Sequence, residues 1–415
     1  MSFGFGFGFP KNYVAATLAP FTPAVLFTTG TNGAWYDPSD MTTLYQDAAG
    51  TTPVTAMEQP VGKLLDKSGR GNHAFNNSGN SANFPVLSAR YNLLTKTEDF
   101  GDSSAWPTSG GSVMRTPGFI DPLGGSTAWK IVFGGANNEF RSAGSLPANS
   151  LNCVWIKGTS GETIACGAYN GVLTLDGNWQ YVSAISASNY FWIGTWGGVT
   201  ARTIYVWHPE LKAPNDAVNL PYQRVNTASD YDTVGFKPYL KFNGTNQWLQ
   251  TNSIDLSYTD KMFVSAGVRK LSDGSTYIVA ELSQQFNINP GAFAIAYPVG
   301  SSLPQPAFGS NGTTSQLTYP ASGYAAPITN VLSGVGNISG DQTILRANGS
   351  QVAINTGDQG TGNYGNYPLY MGTRAGSTVW FNGRLYQLVV AGKQASASEI
   401  TNTETYINQK TGAWS

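Results

Sequence analysis

Charge, cysteine and histidine are all scarce in this sequence. Of 415 residues, 23 are Lys or Arg and 24 are Asp or Glu, so only 11% are charged and the formal net charge is −1. Without a net positive field there is no electrostatic footprint for a phosphate backbone or an anionic membrane surface, which makes nucleic-acid binding a poor main function. The cysteines are Cys153 and Cys166 alone, and the histidines His73 and His208. Two cysteines cannot build a disulfide framework, and with two histidines no closed Cys/His zinc site can be assembled. Two buried free thiols account for the cysteines better than a Cys153–Cys166 bridge, which stays geometrically open. No run approaches the ~20 apolar residues of a membrane span. The N-terminus lacks a basic stretch followed by an apolar one and a small-residue cleavage site, so a soluble protein made in a cytoplasm is expected.

What is abundant is glycine, at 49 residues, and aromatic side chains, at 13%. With Asn, Ser and Thr plentiful, this describes short strands joined by tight turns, and the chain reads as all-β. A hydrophobic share of 41% supplies enough apolar surface for packed cores, and the length allows two or three domains. Strand patterns fall at 127–133, 151–157, 162–168, 171–175, 179–184, 190–195 and 202–208. A second run falls at 246–250, 261–269, 276–282, 292–296, 330–337, 343–347, 367–372 and 379–391. Such even spacing is the mark of β-sandwiches. One helix is expected near the C-terminus. There Ser396 and Glu399 form a capping box, Ile400, Tyr406 and Ile407 share one side, and Gly412 marks the end. No tandem repeat or heptad is present.

The most biased stretch is the first. Phe3, Phe5, Phe7 and Phe9 alternate with Gly4, Gly6 and Gly8, so an extended chain puts every ring on one face and leaves the other bare. Such a segment is expected either to dock into a neighbouring groove or sheet edge, or to fold back onto its own core.

Several strings carry a resemblance. They are Gly33-Ala34-Trp35-Tyr36-Asp37-Pro38-Ser39-Asp40, Asp66-Lys67-Ser68-Gly69-Arg70-Gly71-Asn72-His73-Ala74, Leu240-Lys241-Phe242-Asn243-Gly244, and Phe381-Asn382-Gly383-Arg384-Leu385-Tyr386 followed by the Ser-x-x-Glu helix. Together these resemble the concanavalin A-like (laminin-G-like) jelly-roll family, in the form found in virion proteins of tailed bacteriophages. The strings fall before residue 92 and after 225. The block between them resembles a galactose-binding-like carbohydrate-binding module, opened by Asn92-Leu93-Leu94 and closed by Val206-Trp207-His208-Pro209-Glu210-Leu211 with Pro221-Tyr222. The resemblance implies an N-terminal attachment segment (1–22), a discontinuous laminin-G-like domain (23–91 with 226–415) and an inserted second jelly roll (92–225).

Site chemistry is thinner. Asp66 with Ser68, Asn72 and His73 has oxygen atoms for a hard cation, but Asx-type turn capping uses the same atoms without metal. The module resemblance implies a structural Ca2+ near Glu98, Asp99 and Glu210, where the opening and closing strands lie side by side; no other cofactor is expected. Trp179, Tyr190, Trp192, Trp196, Tyr205 and Trp207 crowd into some thirty residues, and sugar rings stack on such platforms. Alternation sends half of them inward, so that Tyr190 and Trp192 share one face and Phe191 and Ile193 the other, while Trp196 in its Gly-rich loop is the ring most open to solvent. The 357–367 loop, with Asp358, Asn363, Tyr364, Asn366 and Tyr367, offers similar adaptable chemistry for a sugar or a subunit contact. Catalysis has little support, because neither a Glu-x-x-Asp-x-x-Glu strand nor a Gly-x-Ser-x-Gly elbow occurs.

Taken together, the expectation is a non-enzymatic virion surface protein, synthesised in the bacterial host cytoplasm. It would be a tail fibre or spike, or a capsid-attached head fibre, and a homo-oligomer, in phage fibres commonly a trimer. Phe3, Phe5, Phe7 and Phe9 would join it to other virion proteins, and lectin-like jelly rolls would meet host-surface polysaccharide through Trp196, Trp192, Tyr190, Asn363, Tyr364 and Tyr367. The alternatives are a capsid decoration protein that binds no glycan, and a polysaccharide depolymerase.

Overall fold

In the computed structural model, residues 20–28, 30–216 and 220–415 are described; Phe3, Phe5, Phe7 and Phe9 lie outside them. Among the described residues the fold is all-β, with antiparallel sheets and one α-helix. Strands from either end of the chain share the two larger sheets. The first runs in spatial order Ser350–Asn355, Gln342–Ala347, Ile328–Asn337, Lys261–Lys270, Asn382–Ala391, Tyr239–Asn243 and Val86–Ser88, with Gly33–Tyr36 also paired to Asn382–Ala391. The second has nine strands and is built around Leu249–Asp255, Asn366–Met371, Ile278–Leu282 and Phe293–Ala296. One continuous core lies between them, with Phe242, Val264 and Leu388 from the first sheet meeting Ile254, Phe293, Phe308 and Met371 from the second.

The strand Lys261–Lys270 is buried along nearly its whole length, because one face meets this core and the other lies under the C-terminal helix. A strand covered on both sides loses the inside–outside alternation and reads as a continuous apolar run. Glycines allow the sheets to approach. A Cβ on Gly334 would stand 2.3 Å from the Phe308 ring, and one on Gly267 would stand 2.6 Å from Ile407 of the helix.

The helix Ala397–Thr411 forms where its caps place it. Ser396 and Glu399 make the reciprocal capping box, and Gly412 takes the left-handed conformation at φ 59° while its N–H donates to the Asn408 carbonyl. Ile407 is fully buried, and Ile400 and Tyr406 pack beside it against Trp35, Phe263 and Val389. Polar clamps fix the helix further. Arg346 donates two hydrogen bonds to the buried Glu404 carboxylate, at 2.8 and 2.9 Å, and Lys410 reaches both oxygens of Asp37 at 2.6 Å.

Strands from 108–212 form two smaller sheets. One runs Gln180–Ser186, Ser150–Gly158, Arg202–Lys212, Ala128–Phe133, Val113–Phe119, and the other Gly171–Thr174, Thr163–Cys166, Trp192–Gly194, Glu139–Arg141, Thr108–Ser109. A separate core joins them, centred on Trp106 stacked on Phe140 with ring centroids 4.9 Å apart. Cys153 and Cys166 are free and buried in this sandwich, and burial pushes the Cys166 thiol up to about 12.

Where the chain passes from the larger sandwich to the smaller and back, two amides lock the crossing. The Gln223 oxygen accepts from the backbone N–H groups of Tyr91 and Asn92, and its nitrogen donates to the carbonyls of Ala89 and Asp232. The Asn92 nitrogen donates to the carbonyls of Pro209 and Gln223, and its oxygen accepts from Leu94 and Leu211. Both side chains are fully buried and use all four hydrogen-bonding positions of an amide.

Twelve expected strands lie within two residues of their observed bounds at both ends, among them Lys261–Lys270 and Gln342–Ala347. The expected 246–250 strand is instead Leu249–Asp255. Val113–Phe119, Glu139–Arg141, Ala307–Asn311, Ser315–Thr318 and Ser350–Asn355 have no counterpart in the sequence reading. Val113–Phe119 is an edge strand containing Pro117 and Gly118 with most positions exposed, so it lacks the apolar alternation that betrays a strand. No helix among the described residues is long and apolar enough to cross a membrane.

Candidate functional site

The site is built on the outer face of the small sheet that carries Trp192–Gly194. Phe191 and Ile193 point into the core and are fully buried, so Tyr190 and Trp192 stand on the opposite, outward face. Register places Arg141 opposite Trp192, and Glu139 and Ala165 on either side of Gly194. These residues therefore share one surface.

Two indoles lie over that surface on glycines. A Cβ on Gly167 would be 2.9 Å from the Trp192 indole nitrogen, and one on Gly194 would be 2.9 Å from the Trp196 ring. Without side chains beneath them, the indoles can rest against the sheet backbone. Trp192 is half-buried and Trp196 is 37% exposed. Trp192 is held by donation of its indole N–H to the Ser188 hydroxyl at 3.2 Å, and Trp196 by donation to Glu139 Oε2 at 3.2 Å.

Glu139 is the polar centre. Its side chain is almost wholly covered, and its second oxygen lies 3.3 Å from the half-open Arg141 guanidinium. That guanidinium rests over the Tyr190 ring, 5.2 Å from its centroid. Val172, more than 40% exposed, stands on the neighbouring hairpin beside the Trp196-Gly197 loop, and Tyr169, similarly exposed, lies in the turn of that hairpin. The surface thus offers two flat rings, an acceptor and a donor fork within one sheet face.

Tyr190, Trp192 and Trp196 lie on one face of this small sheet. Glu139 and Arg141 were missed, because a three-residue strand around Phe140 is too short to show a period. The pair of glycines under the indoles was the available signal.

The 357–367 loop corrects part of the expectation. Tyr364 is not a surface ring: it is 1% exposed, packs into the main core, and shares a hydrogen bond with the Ser310 hydroxyl. The Gly336 position leaves room for its hydroxyl. Asn363 donates to the Ser257 carbonyl and Tyr367 to that of Pro290, so both tie the loop to its own sandwich.

The four metal candidates do not converge, and no group of three His, Cys, Asp or Glu among the described residues is placed to hold a metal ion. Asp66 accepts from the backbone N–H groups of Trp35, Ser68 and Asn72 and from the Ser68 hydroxyl, which is the turn-capping arrangement. Glu98 faces His208 at 3.5 Å, and Asp99 caps Gly101. Glu210 is buried against Lys212 and accepts from Gln223; burial pushes its carboxyl up. Excess EDTA is accordingly expected to leave the melting temperature unchanged in differential scanning calorimetry, whereas a fall reversed by Ca2+ would locate a structural ion these contacts do not reveal.

No protein-family profile and no curated protein sequence matches the chain. Solved structures with partial similarity include the NanB sialidase of Streptococcus pneumoniae, 17% identical over 39% of this chain and 26% of that one, with a TM-score of 0.29. The CBM40 of a Ruminococcus gnavus IT-sialidase, bound to alpha2,6 sialyllactose, is 14% identical over 40% of this chain and 96% of its own, at 0.30. A heptameric SAP-like pentraxin from Limulus polyphemus is 11% identical over 39% and 78%, at 0.30. The chain spans about a quarter of the length of the pneumococcal enzyme. Similarities of this size assign neither ligand nor activity.

Proposed function

We propose that this chain is a lectin-like surface protein that binds glycan on the Tyr190–Trp192–Trp196 face, and that it serves as a fibre, spike or decoration component of a tailed-phage virion. The observation that carries the glycan reading is the pair of indoles lying over Gly167 and Gly194 beside the Glu139 and Arg141 pair. A pyranose presents an apolar C–H face and a rim of hydroxyls. Rings meet the first, and a carboxylate and guanidinium meet the second. Glu139 is engaged by Trp196 and Arg141, which suits a grip on hydroxyls better than acid–base work. The virion role rests on the sequence strings that resemble phage jelly-roll proteins and on the Phe3 to Phe9 segment as the attachment element.

The test is a glycan array followed by calorimetric titration of the best ligand. Trp196→Ala and Glu139→Gln are each expected to lower affinity about tenfold or more, the factor that ~1.4 kcal/mol represents. Glu139→Gln retains an acceptor for Trp196 and so separates charge from packing. Unchanged affinity in both variants, or no glycan bound by the intact chain, would remove this reading and leave decoration without glycan binding. Reducing ends released during long incubation with the same glycan would instead favour a depolymerase.

A further inference from the structure

We propose a second ligand surface on the other sheet of the 108–212 sandwich, one that binds acidic polysaccharide bearing carboxylate or sulfate groups. The proposal stands apart from the Trp196 face and does not depend on it. Ile131, Ile156, Ile204 and Val206 of this sheet are fully buried in its core, so their alternates point outward. Register then aligns Lys157, Tyr205, Lys130 and Thr116 in one row across four neighbouring strands.

Beside that row lie the rings. Tyr205 packs on Phe119 with centroids 5.2 Å apart, and Lys130 Nζ stands 5.9 Å from the Phe119 centroid. Trp155 contacts Tyr181 at 5.4 Å and Trp207 at 6.5 Å, and Tyr181 is 50% exposed. The result is a row of rings running beside the row that carries Lys157 and Lys130.

Charge decides the class of ligand. Most lysines among the described residues are neutralised: Lys67, Lys212, Lys241, Lys261, Lys270, Lys393 and Lys410 all have carboxylates within 4 Å. Among the described residues, Lys130 and Lys157 have neither a carboxylate within 4 Å nor a hydrogen-bond acceptor, and Lys130 lies near the Phe119 ring. Glu210, the carboxylate in the next row but one, is buried against Lys212. Two uncompensated cations therefore share one face in a chain whose overall charge is −1. They stand two strands apart, about 10 Å, which a single small anion does not bridge but the repeated anionic groups of a polymer can. Tyr205 lies between them, and Trp155, Tyr181 and Trp207 form the adjacent row, so ring faces are available to the sugar backbone alongside both cations.

The experiment measures binding of the full chain to dextran sulfate, polygalacturonate, neutral dextran and a single-stranded DNA oligonucleotide at two salt concentrations. The two acidic polysaccharides should bind, neutral dextran should not, and added salt should weaken the binding. Lys130→Gln combined with Lys157→Gln should reduce affinity at least tenfold and flatten the salt dependence, with the thermal melt unchanged. Tyr181→Ala should weaken binding without altering the salt slope. Trp196→Ala should leave it intact, so failure of the first site and failure of this one are distinguishable. The proposal is overturned by undiminished binding in the double lysine variant, by absence of binding to both polyanions, or by stronger binding to the oligonucleotide than to either polysaccharide.

Discussion

Gln223→Leu is expected to destabilise the protein by about 4 kcal/mol. The substitution strands the backbone N–H groups of Tyr91 and Asn92, which share the Gln223 oxygen at 2.7 and 2.9 Å, and removes the donors to the Ala89 and Asp232 carbonyls. Each buried donor left without a partner costs ~1–3 kcal/mol, and the site is closed to water that would replace the amide. Gln223→Glu keeps the acceptor for both N–H groups but loses both donors and places a carboxylate next to Glu210, which already accepts from the Gln223 backbone. It should therefore also destabilise, and more at pH 8 than at pH 5. Urea unfolding followed by tryptophan fluorescence reads both effects. A midpoint for Gln223→Leu within error of the parent would mean that the crossing between sandwiches is held by other contacts.

The amide crossing also shows where sequence reasoning stopped. Asn92 is visible as the start of a new pattern, because Asn92-Leu93-Leu94 opens the strand run. Gln223 is not, since a single polar residue after Pro221 and Tyr222 resembles any solvated turn. Its value lies in contacts across more than a hundred residues, and no local period carries that information. The same limit applies at the Trp192–Trp196 face, where the two indoles announce themselves but Glu139 does not. Strands inside the cores were legible because burial imposes alternation, as around Phe191 and Ile193. Edge strands such as Val113–Phe119 face solvent and escape that constraint. Tyr364 misled for the opposite reason. Its Gly, Asn and Tyr neighbours have the composition of a binding loop, while its ring fills the space above Gly336 in the main core.

Asp37→Ala is the second large effect, at about 3 kcal/mol and a fall in melting temperature of about 3–6 °C. Asp37 lies in the Trp35-Tyr36-Asp37-Pro38-Ser39-Asp40 string and is 3% exposed. Its carboxylate accepts two hydrogen bonds from Lys410 in the last turn of the helix, and a third from the Ser39 N–H at 3.1 Å, while Lys67 stands 3.7 Å away. Lys67 also lies over the Trp35 ring, 4.9 Å from its centroid, and Trp35 packs edge-on to Tyr406 of the helix. The Trp35-Tyr36-Asp37 string is thus a clamp between the strand Gly33–Tyr36 and the C-terminal helix. Burial lowers the Lys410 pKa while Asp37 raises it; without the carboxylate only the lowering remains, and the amine is left largely covered. A double-mutant cycle with Asp37→Asn and Lys410→Met, followed by calorimetry, should return a coupling of about 1.5–3 kcal/mol. Additive losses would show that the two residues contribute separately. Because the Trp192–Trp196 face belongs to the other sandwich, Asp37→Ala should leave any binding there unchanged at temperatures where the fold persists.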